Sequence, residues 1–295
     1  MNLVLDLGQS GSRVKIGDHI TSLAIAKNSF EAVLVTVEKI FKEIPPQSFE
    51  SAYLSLTGLQ GNVGDPEPFG ELCKKYFQTK EVCVMDDGIA SYMGALGDSE
   101  GVVLTLGGGV VAIASCEGRF SHADGKGPIF GDFGGGFWIG QSALRKAIST
   151  SDGRDNEIGL VELLATELRQ YKSLENTTGV EASQLCISTA KTVAVGAEKG
   201  EKGALKILEE GATRLAETIS AAWSKVKTGD ELIPRLAIQG GLSRSKTYVD
   251  AILSNLERSM KFEYVEALGD HLMGATLVAQ KYKNDVSPLM KWWRT

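Results

Sequence analysis

Along this chain apolar positions recur with two rhythms, one of period two and one near the helical 3.6, and the switches between them outline its elements. From Leu3 to Ile16 an apolar run breaks at a Gly/Ser turn and resumes with alternating Val14 and Ile16, which predicts a β-hairpin whose first strand ends at Asp6. Asn28 then precedes a helical pattern of Phe30, Val33, Leu34, Val37, Ile40, Phe41 and Ile44, with Glu31 at the third position and Pro45-Pro46 as the stop. Ser51–Thr57 reads as a strand, and the loop after it is punctuated by Gly58, Gly61, Gly64, Pro66 and Pro68. A short helix around Leu72–Phe77 and a strand at Glu81–Met85 follow.

Gly101–Ser115 repeats the opening: a strand at Val102–Leu106, a turn at Gly107–Gly109, and a second strand through Val111 and Ile113. Two such hairpins, about one small domain apart, imply a duplication. The chain is therefore expected to divide near Gly97–Gly101 into domains over 1–98 and 99–295, with the last helix open to packing back on the N-terminal domain. Gly125–Gly140 is very glycine-rich, a helix is expected over Phe137–Ile148, and Gly203–Thr228 is helical with a core-facing stripe. Leu232–Gln239 supplies a strand ending at Gly240-Gly241, before a helix at Arg244–Leu256, a strand at Lys261–Val265 and a helix at Asp270–Tyr282. Alternating strands and helices place the chain in the α/β class.

Composition narrows the possibilities. A length of 295 residues leaves room for two domains with separate cores. A net charge of -6 provides no basic footprint, so a nucleic-acid partner is not expected. No apolar run approaches the roughly 20 residues that span a bilayer, and the N-terminus lacks a basic leader, so no membrane role is expected. Cys73, Cys83, Cys116 and Cys186 are widely spaced without a CxxC pair, which suits a reducing cytoplasm better than a disulfide or zinc scaffold. His19, His122 and His271 lie far apart, so neither a metal site nor a catalytic dyad is expected of them. Trp292 and Trp293 are expected to pack on their own domain.

The candidate chemistry lies in the turns. Asp6-Leu7-Gly8-Gln9-Ser10-Gly11-Ser12 offers backbone N–H groups that phosphate can approach closely, hydroxyls at Ser10 and Ser12, and a carboxylate at Asp6 able to hold hydrated Mg²⁺. Taken alone the same residues serve equally as a glycine hairpin with Asp6 as turn former. A second turn at Gly107, Gly108 and Gly109, and a third at Gly240 and Gly241 after a strand, favour a nucleotide clasped between domains. Asp87, after the Val82–Val84 strand, has the position of a helix N-cap. Asp132 in its glycine loop is either a turn former or an acceptor for ligand hydroxyls.

The chain resembles the N-acetylglucosamine kinase group of the BadF/BadG/BcrA/BcrD ATPase family. The resemblance rests on the Asp6–Ser12 turn, Val84-Met85-Asp86-Asp87-Gly88 with Ala90 and Gly94-Ala95, Gly107–Gly109, Gly240-Gly241 and Gly274-Ala275. Its most distinctive block is Gly127-Pro128-Ile129-Phe130-Gly131-Asp132-Phe133-Gly134 with Trp138-Ile139-Gly140. It implies a two-domain actin-like fold, a duplicated ribonuclease-H-like arrangement with an interdomain nucleotide and substrate cleft. It implies ATP and Mg²⁺ as cofactors and a small-molecule sugar as substrate, and leaves a homodimer open. Asp87 matches the family's base, which activates the sugar hydroxyl, while Gly8, Gln9, Ser10, Ser12 and the later glycines fall to the nucleotide. Thr57, Gly58 and Asp132 fall to the substrate.

The chain departs from the family in three places. The second turn reads Gly107-Gly108-Gly109-Val110, without the usual hydroxyls; Leu7 and Gln9 replace glycines in the first; and Phe133 stands where a glutamate is usual. Losing that acceptor favours a substrate with a less polar face. The expected function is an ATP-dependent kinase for N-acetylglucosamine, glucosamine or a related hexose. The alternatives are an ATPase activator of a 2-hydroxyacyl-CoA dehydratase, for which the cysteines lack local context, and a nucleotide or sugar sensor without turnover.

Overall fold

The computed structural model describes residues 1–9, 11–27, 31–172, 179–229, 231–286 and 288–295. Ser10, Asn28 and Phe30, singled out above, lie outside the described residues. The chain divides into two compact units, one of Met1–Ser99 with Glu266–Thr295 and one of Glu100–Val265.

The first unit opens with β1 (Asn2–Leu7), β2 (Ser12–Ile16) and β3 (His19–Leu23), followed by α1 (Val33–Lys42) and β4 (Ser51–Leu56). After these come α2 (Glu67–Phe77), β5 (Glu81–Asp86) and α3 (Asp87–Leu96). The hairpin is antiparallel, and β1, β4 and β5 run parallel in the order β3-β2-β1-β4-β5. Leu3, Leu5 and Leu7 bury one face of β1 among Val37, Ile40 and Phe41 of α1, and the Phe41 and Phe77 rings meet edge to face at 4.9 Å. Helix α1 starts at Val33 without a side-chain cap, while Glu31 binds the Thr36 hydroxyl at 2.9 Å. Helix α2 starts at Glu67, earlier than the apolar spacing suggests, because Pro68 in its first turn has a backbone already set for helix and lacks only an N–H that the turn leaves unpaired.

The second unit repeats the order. It contains β6 (Gly101–Leu106), β7 (Val110–Cys116), β8 (Arg119–Asp124), α4 (Gly136–Ser151), α5 (Ile158–Leu163), α6 (Ala165–Lys172), α7 (Gly179–Glu198) and α8 (Lys202–Ser224). Then come β9 (Arg235–Gln239), a 3-10 turn at Gly241–Arg244, α9 (Lys246–Leu256) and β10 (Glu263–Tyr264). Its sheet runs β8-β7-β6-β9-β10, with β6-β7-β8 antiparallel and β6, β9 and β10 parallel. Strand for strand this is the arrangement of the first unit. The expected strands at Leu232–Gln239 and Lys261–Val265 are both shorter in the structure, as β9 and β10.

The chain then returns to the first unit as α10 (His271–Lys281) and β11 (Met290–Arg294). Strand β11 pairs antiparallel with β5 and extends the first sheet. Trp293 lies over α2 at Gly70, where a Cβ would stand 2.0 Å from the indole, and Trp292 donates its ring N–H to the Tyr282 carbonyl at 2.8 Å. Helix α10 crosses α3 so closely that a Cβ on Gly274 would stand 1.8 Å from the Ala90 carbonyl oxygen, and one on Gly94 2.2 Å from that of Asp270. Among the described residues no helix is long and apolar enough to cross a membrane.

Candidate active site

In the first unit, the parallel register sets Leu7 beside Leu56 and Leu56 beside Asp86, so the carboxyl ends of β1, β4 and β5 present Asp6, Thr57 and the Asp86-Asp87 pair together. The carboxyl edge of a parallel sheet is where α/β proteins build their sites. The cap role open to Asp87 belongs to its neighbour. Asp86 is buried and takes the Gly88 N–H at 3.0 Å and the Gly61 N–H at 2.9 Å, closing the start of α3. Asp87 is thereby released for another use. Burial pushes its carboxyl up to about 7, with Asp86 and Asp6 adding to the rise and with His271 and a hydrogen bond from Thr57 opposing it.

Asp6 is buried and anchored from three sides. Its Oδ2 accepts from Arg13 Nη2 at 2.7 Å and Nε at 3.2 Å, while Oδ1 lies 3.4 Å from both Ser55 Oγ and His271 Nδ1. Burial alone would raise its pKa, but the bonds and charges of His271 and Arg13 outweigh burial and hold Asp6 below the ordinary carboxylate value. Asp6 is thus an ionised hard-oxygen group. Its more loosely engaged Oδ1 fits a cation held through water rather than one bound directly. Among the described residues no group of three His, Cys, Asp or Glu forms a ready metal cage.

The first glycine turn closes with Gly8 N–H donating to the Gly11 carbonyl at 2.9 Å, and Lys27 N–H donates to the Gly8 carbonyl at 2.9 Å. Ser12 Oγ, just past the turn, is buried without a hydrogen-bond partner. An orphaned hydroxyl beside a glycine turn fits an oxyanion ligand such as phosphate. Gly58 takes a left-handed φ of 90°, and Lys27 Cε passes 3.2 Å from where its Cβ would stand, so the Thr57-Gly58 turn needs its glycine.

In the second unit the Gly107–Gly109 turn is built the same way, with Gly107 N–H donating to the Gly109 carbonyl at 3.0 Å. The Gly107 and Gly108 carbonyls accept from Gly136 and Phe137 at the start of α4, at 2.8 and 2.9 Å. A Cβ on Gly109 would stand 2.5 Å from Asp132 Oδ2, and a Cβ on Gly240 2.4 Å from the Leu106 carbonyl oxygen. Gly240 is therefore required by packing against backbone and by its φ of 111°, a side chain at Gly109 would displace the Asp132 carboxylate, and Gly107 and Gly241 face open space. Asp132 sits at a left-handed φ of 59°, held by its N–H donating to Asp124 Oδ1 at 2.8 Å. It is buried with Oδ1 unpartnered, and burial is the main cause that pushes its carboxyl up to about 6. A strained, buried carboxylate with a vacant oxygen is suited to accepting a ligand hydroxyl. Phe133 beside it is exposed.

The structure thus gathers Asp6, Thr57, Gly58 and Asp87, with Gly8, Gln9 and Ser12, in the first unit, and Gly107–Gly109, Asp132, Gly240 and Gly241 in the second. Sequence reasoning missed Arg13 and His271. Arg13 could have been found, since an arginine directly across the hairpin from Asp6 is its cross-strand neighbour. His271 carried no such local signal.

These two sheets, each ordered as a hairpin followed by parallel strands, define a two-domain α/β protein of the actin-like class. The chain belongs to the BadF/BadG/BcrA/BcrD ATPase family, whose profile matches residues 8–279. It is 26% identical over 203 residues to the N-acetyl-D-glucosamine kinase of Dictyostelium discoideum, a match covering 66% of this chain and 64% of that one. It is 24% identical over 210 residues to an N-acetylmuramic acid/N-acetylglucosamine kinase of Clostridium acetobutylicum, covering 68% and 67%. The match to the first of these relatives spans just under two thirds of that relative's length. Among solved structures, a candidate N-acetylglucosamine kinase of Chromobacterium violaceum superposes with a TM-score of 0.66 at 22% identity, covering 94% of this chain and 98% of that one. A ROK family glucokinase of Streptomyces griseus, in complex with glucose and AMPPNP, superposes with a TM-score of 0.60 at 15% identity, covering 95% and 99%. At these identities the superpositions establish the fold.

Proposed function

We propose that this chain is an ATP-dependent sugar kinase acting on N-acetylglucosamine, glucosamine or a related hexose, with Asp87 as general base. The observation that carries the reading is the state of Asp87: a carboxylate freed from capping, held by Thr57, and raised to about 7 at the carboxyl edge of a parallel sheet. A base poised near neutral pH is what the chemistry asks for, because a sugar hydroxyl is a weak nucleophile. Asp87 takes the hydroxyl proton as the new O–P bond forms and the bond to ADP breaks. ATP supplies the γ-phosphoryl group when bound, and Mg²⁺ the charge that neutralises it.

Gly8, Gln9, Ser10 and Ser12 are proposed to receive phosphate oxygens on N–H and O–H groups, with Asp6 facing Mg²⁺ through water. Gly107, Gly108, Gly109, Gly240 and Gly241 serve the nucleotide in the same reading, which needs only backbone donors where Val110 replaces a hydroxyl. Thr57, Gly58 and Asp132 serve the sugar, and the vacant Asp132 Oδ1 supports that role. The activator alternative finds no support in the thiols: Cys73, Cys83 and Cys116 are buried. The test is ADP formation across a sugar panel. Sugar-dependent turnover supports the kinase, whereas ATP or sugar binding without any phosphoryl transfer would instead identify a sensor.

A further inference from the structure

Asp124 is the last residue of β8, half-buried, and its backbone turns there to a left-handed φ of 64°. An aspartate takes that conformation at a cost in strain that glycine escapes, and a bond from its side chain can offset it. The bond spans the glycine loop: Asp124 Oδ1 accepts the Asp132 N–H at 2.8 Å, eight positions along the chain. Both ends of this bridge are fixed. Gly125 N–H donates to the Val110 carbonyl at 2.8 Å, which holds the strand end that carries Asp124. On the far side Gly131 passes so close that a Cβ there would stand 2.3 Å from Asp124 Oδ1 and 3.0 Å from Lys126 Cβ.

The bridge sets Asp132. Its N–H is held by Asp124 and its carbonyl accepts from Gly135 N–H at 3.0 Å, so the backbone is gripped on both sides of a left-handed φ of 59°. Beyond it the Tyr248 hydroxyl donates to the Gly134 carbonyl at 2.7 Å and holds the other end of the loop. In that setting Oδ2 lies against Gly109, where a Cβ would stand 2.5 Å away, and Oδ1 is left buried without a partner. Ile129 and Phe130 in the same loop are 80% and 83% exposed, whereas Asp132 is 6% exposed. Burial therefore returns at Gly131 and Asp132, where Asp124 ties the loop down.

We propose that Asp124 is a positioning residue for Asp132: by holding the Asp132 N–H it aims the vacant Asp132 Oδ1 at a substrate hydroxyl. The inference rests on Asp132 serving the sugar in the proposed kinase. Loss of the Asp132 carboxylate is expected to cost about 10- to 100-fold in KM for the sugar, and a misaimed carboxylate forfeits part of that, about 10-fold.

The experiment measures kcat, KM for sugar and for ATP, and melting temperature on the full chain. The proteins are wild type, Asp124→Gly, Asp124→Asn, Asp132→Gly and the Asp124→Gly/Asp132→Gly double variant. The substrate is N-acetylglucosamine or whichever hexose of the panel turns over fastest. Asp124→Gly removes the acceptor but keeps the backbone, because glycine takes a left-handed φ without strain. It is expected to raise KM for the sugar about 10-fold while KM for ATP stays near wild type. Asp124→Asn keeps an Oδ1 acceptor and tolerates the same φ, so its KM stays near wild type although its charge is gone. The double variant has a KM no higher than Asp132→Gly alone, because a residue acting through the Asp132 carboxylate has nothing left to aim. Should Asp124→Gly melt below the assay temperature, Asp124→Glu, which keeps the charge and moves the acceptor by one methylene, takes its place with the same expectation. Wild-type KM in Asp124→Gly overturns the inference, as does Asp124→Asn impaired as far as Asp124→Gly, or a double variant worse than Asp132→Gly by the full single-variant factor. A raised KM in Asp132→Gly beside a normal Asp124→Gly removes this inference alone. Wild-type KM in Asp132→Gly, or turnover that no sugar of the panel stimulates, removes the Asp132 assignment and this inference together.

Discussion

Adjacent aspartates at the end of β5 have different tasks because their surroundings differ. Asp86 caps a helix with two backbone bonds, while Asp87 keeps a half-buried carboxylate raised to about 7. As a base Asp87 must be ionised, so kcat should climb as pH rises through about 7, and a rate flat from pH 5 to 9 would contradict the assignment. The stability consequence has the opposite direction. A carboxyl raised by burial contributes fully below its ordinary value of 3.8, and that contribution is lost as pH rises through about 7. Asp87→Asn should therefore melt higher than wild type at pH 8 and lose the difference at pH 4, by calorimetry. Asp132→Asn should raise KM for the sugar about 10- to 100-fold, the worth of a hydrogen bond to a charged group, with KM for ATP unchanged. Asp6, Asp87 and Asp132 were visible in the sequence through turns and resemblance. His271 was not, since Arg13 and Asp270, which set its place, are 257 positions apart and only folding joins them.

The glycines of the elements report close approach. Gly94 and Gly274 sit at the crossing of α3 and α10, and Gly70 beneath Trp293. Gly274→Ala should destabilise the protein by roughly 1–3 kcal/mol, the usual cost of overpacking, seen as a lower urea midpoint. It should also lower kcat, because the same crossing packs α10 against α3, the helix that begins with Asp87; a stable variant with full activity would show that the helices adjust freely. Helices α1, α2, α4, α8, α9 and α10 and the central strands were legible from the apolar rhythm, whereas α3, α5, α6 and α7 were not singled out. The strands β3 and β8 were not: both are sheet edges, and His19-Ile20-Thr21-Ser22-Leu23 buries too little for alternation to show. Strand β11 also escaped notice, since Met290–Arg294 is a strand only through its pairing with β5.

At the scale of the whole molecule, the same strand order occurs twice, and each copy carries a glycine turn between its first two strands. The repeated hairpin is legible in the sequence because its turns are local; the return of Glu266–Thr295 to the first unit, of which only the packing back of the last helix was left open by the sequence, depends on contacts no window of sequence contains. A ligand that binds only the folded chain stabilises it by about 2.7 kcal/mol at a hundredfold excess over its Kd, so Mg-ATP and the sugar should each raise the melting temperature by a few degrees. An amino sugar without effect on melting would not be a substrate of this site. The most direct test is ADP release by wild type and Asp87→Asn, with and without N-acetylglucosamine, at saturating Mg-ATP. The account predicts sugar-dependent release that falls about 10²- to 10⁴-fold in Asp87→Asn while sugar binding persists. Release that no sugar accelerates, or an Asp87→Asn variant as fast as wild type, would contradict it.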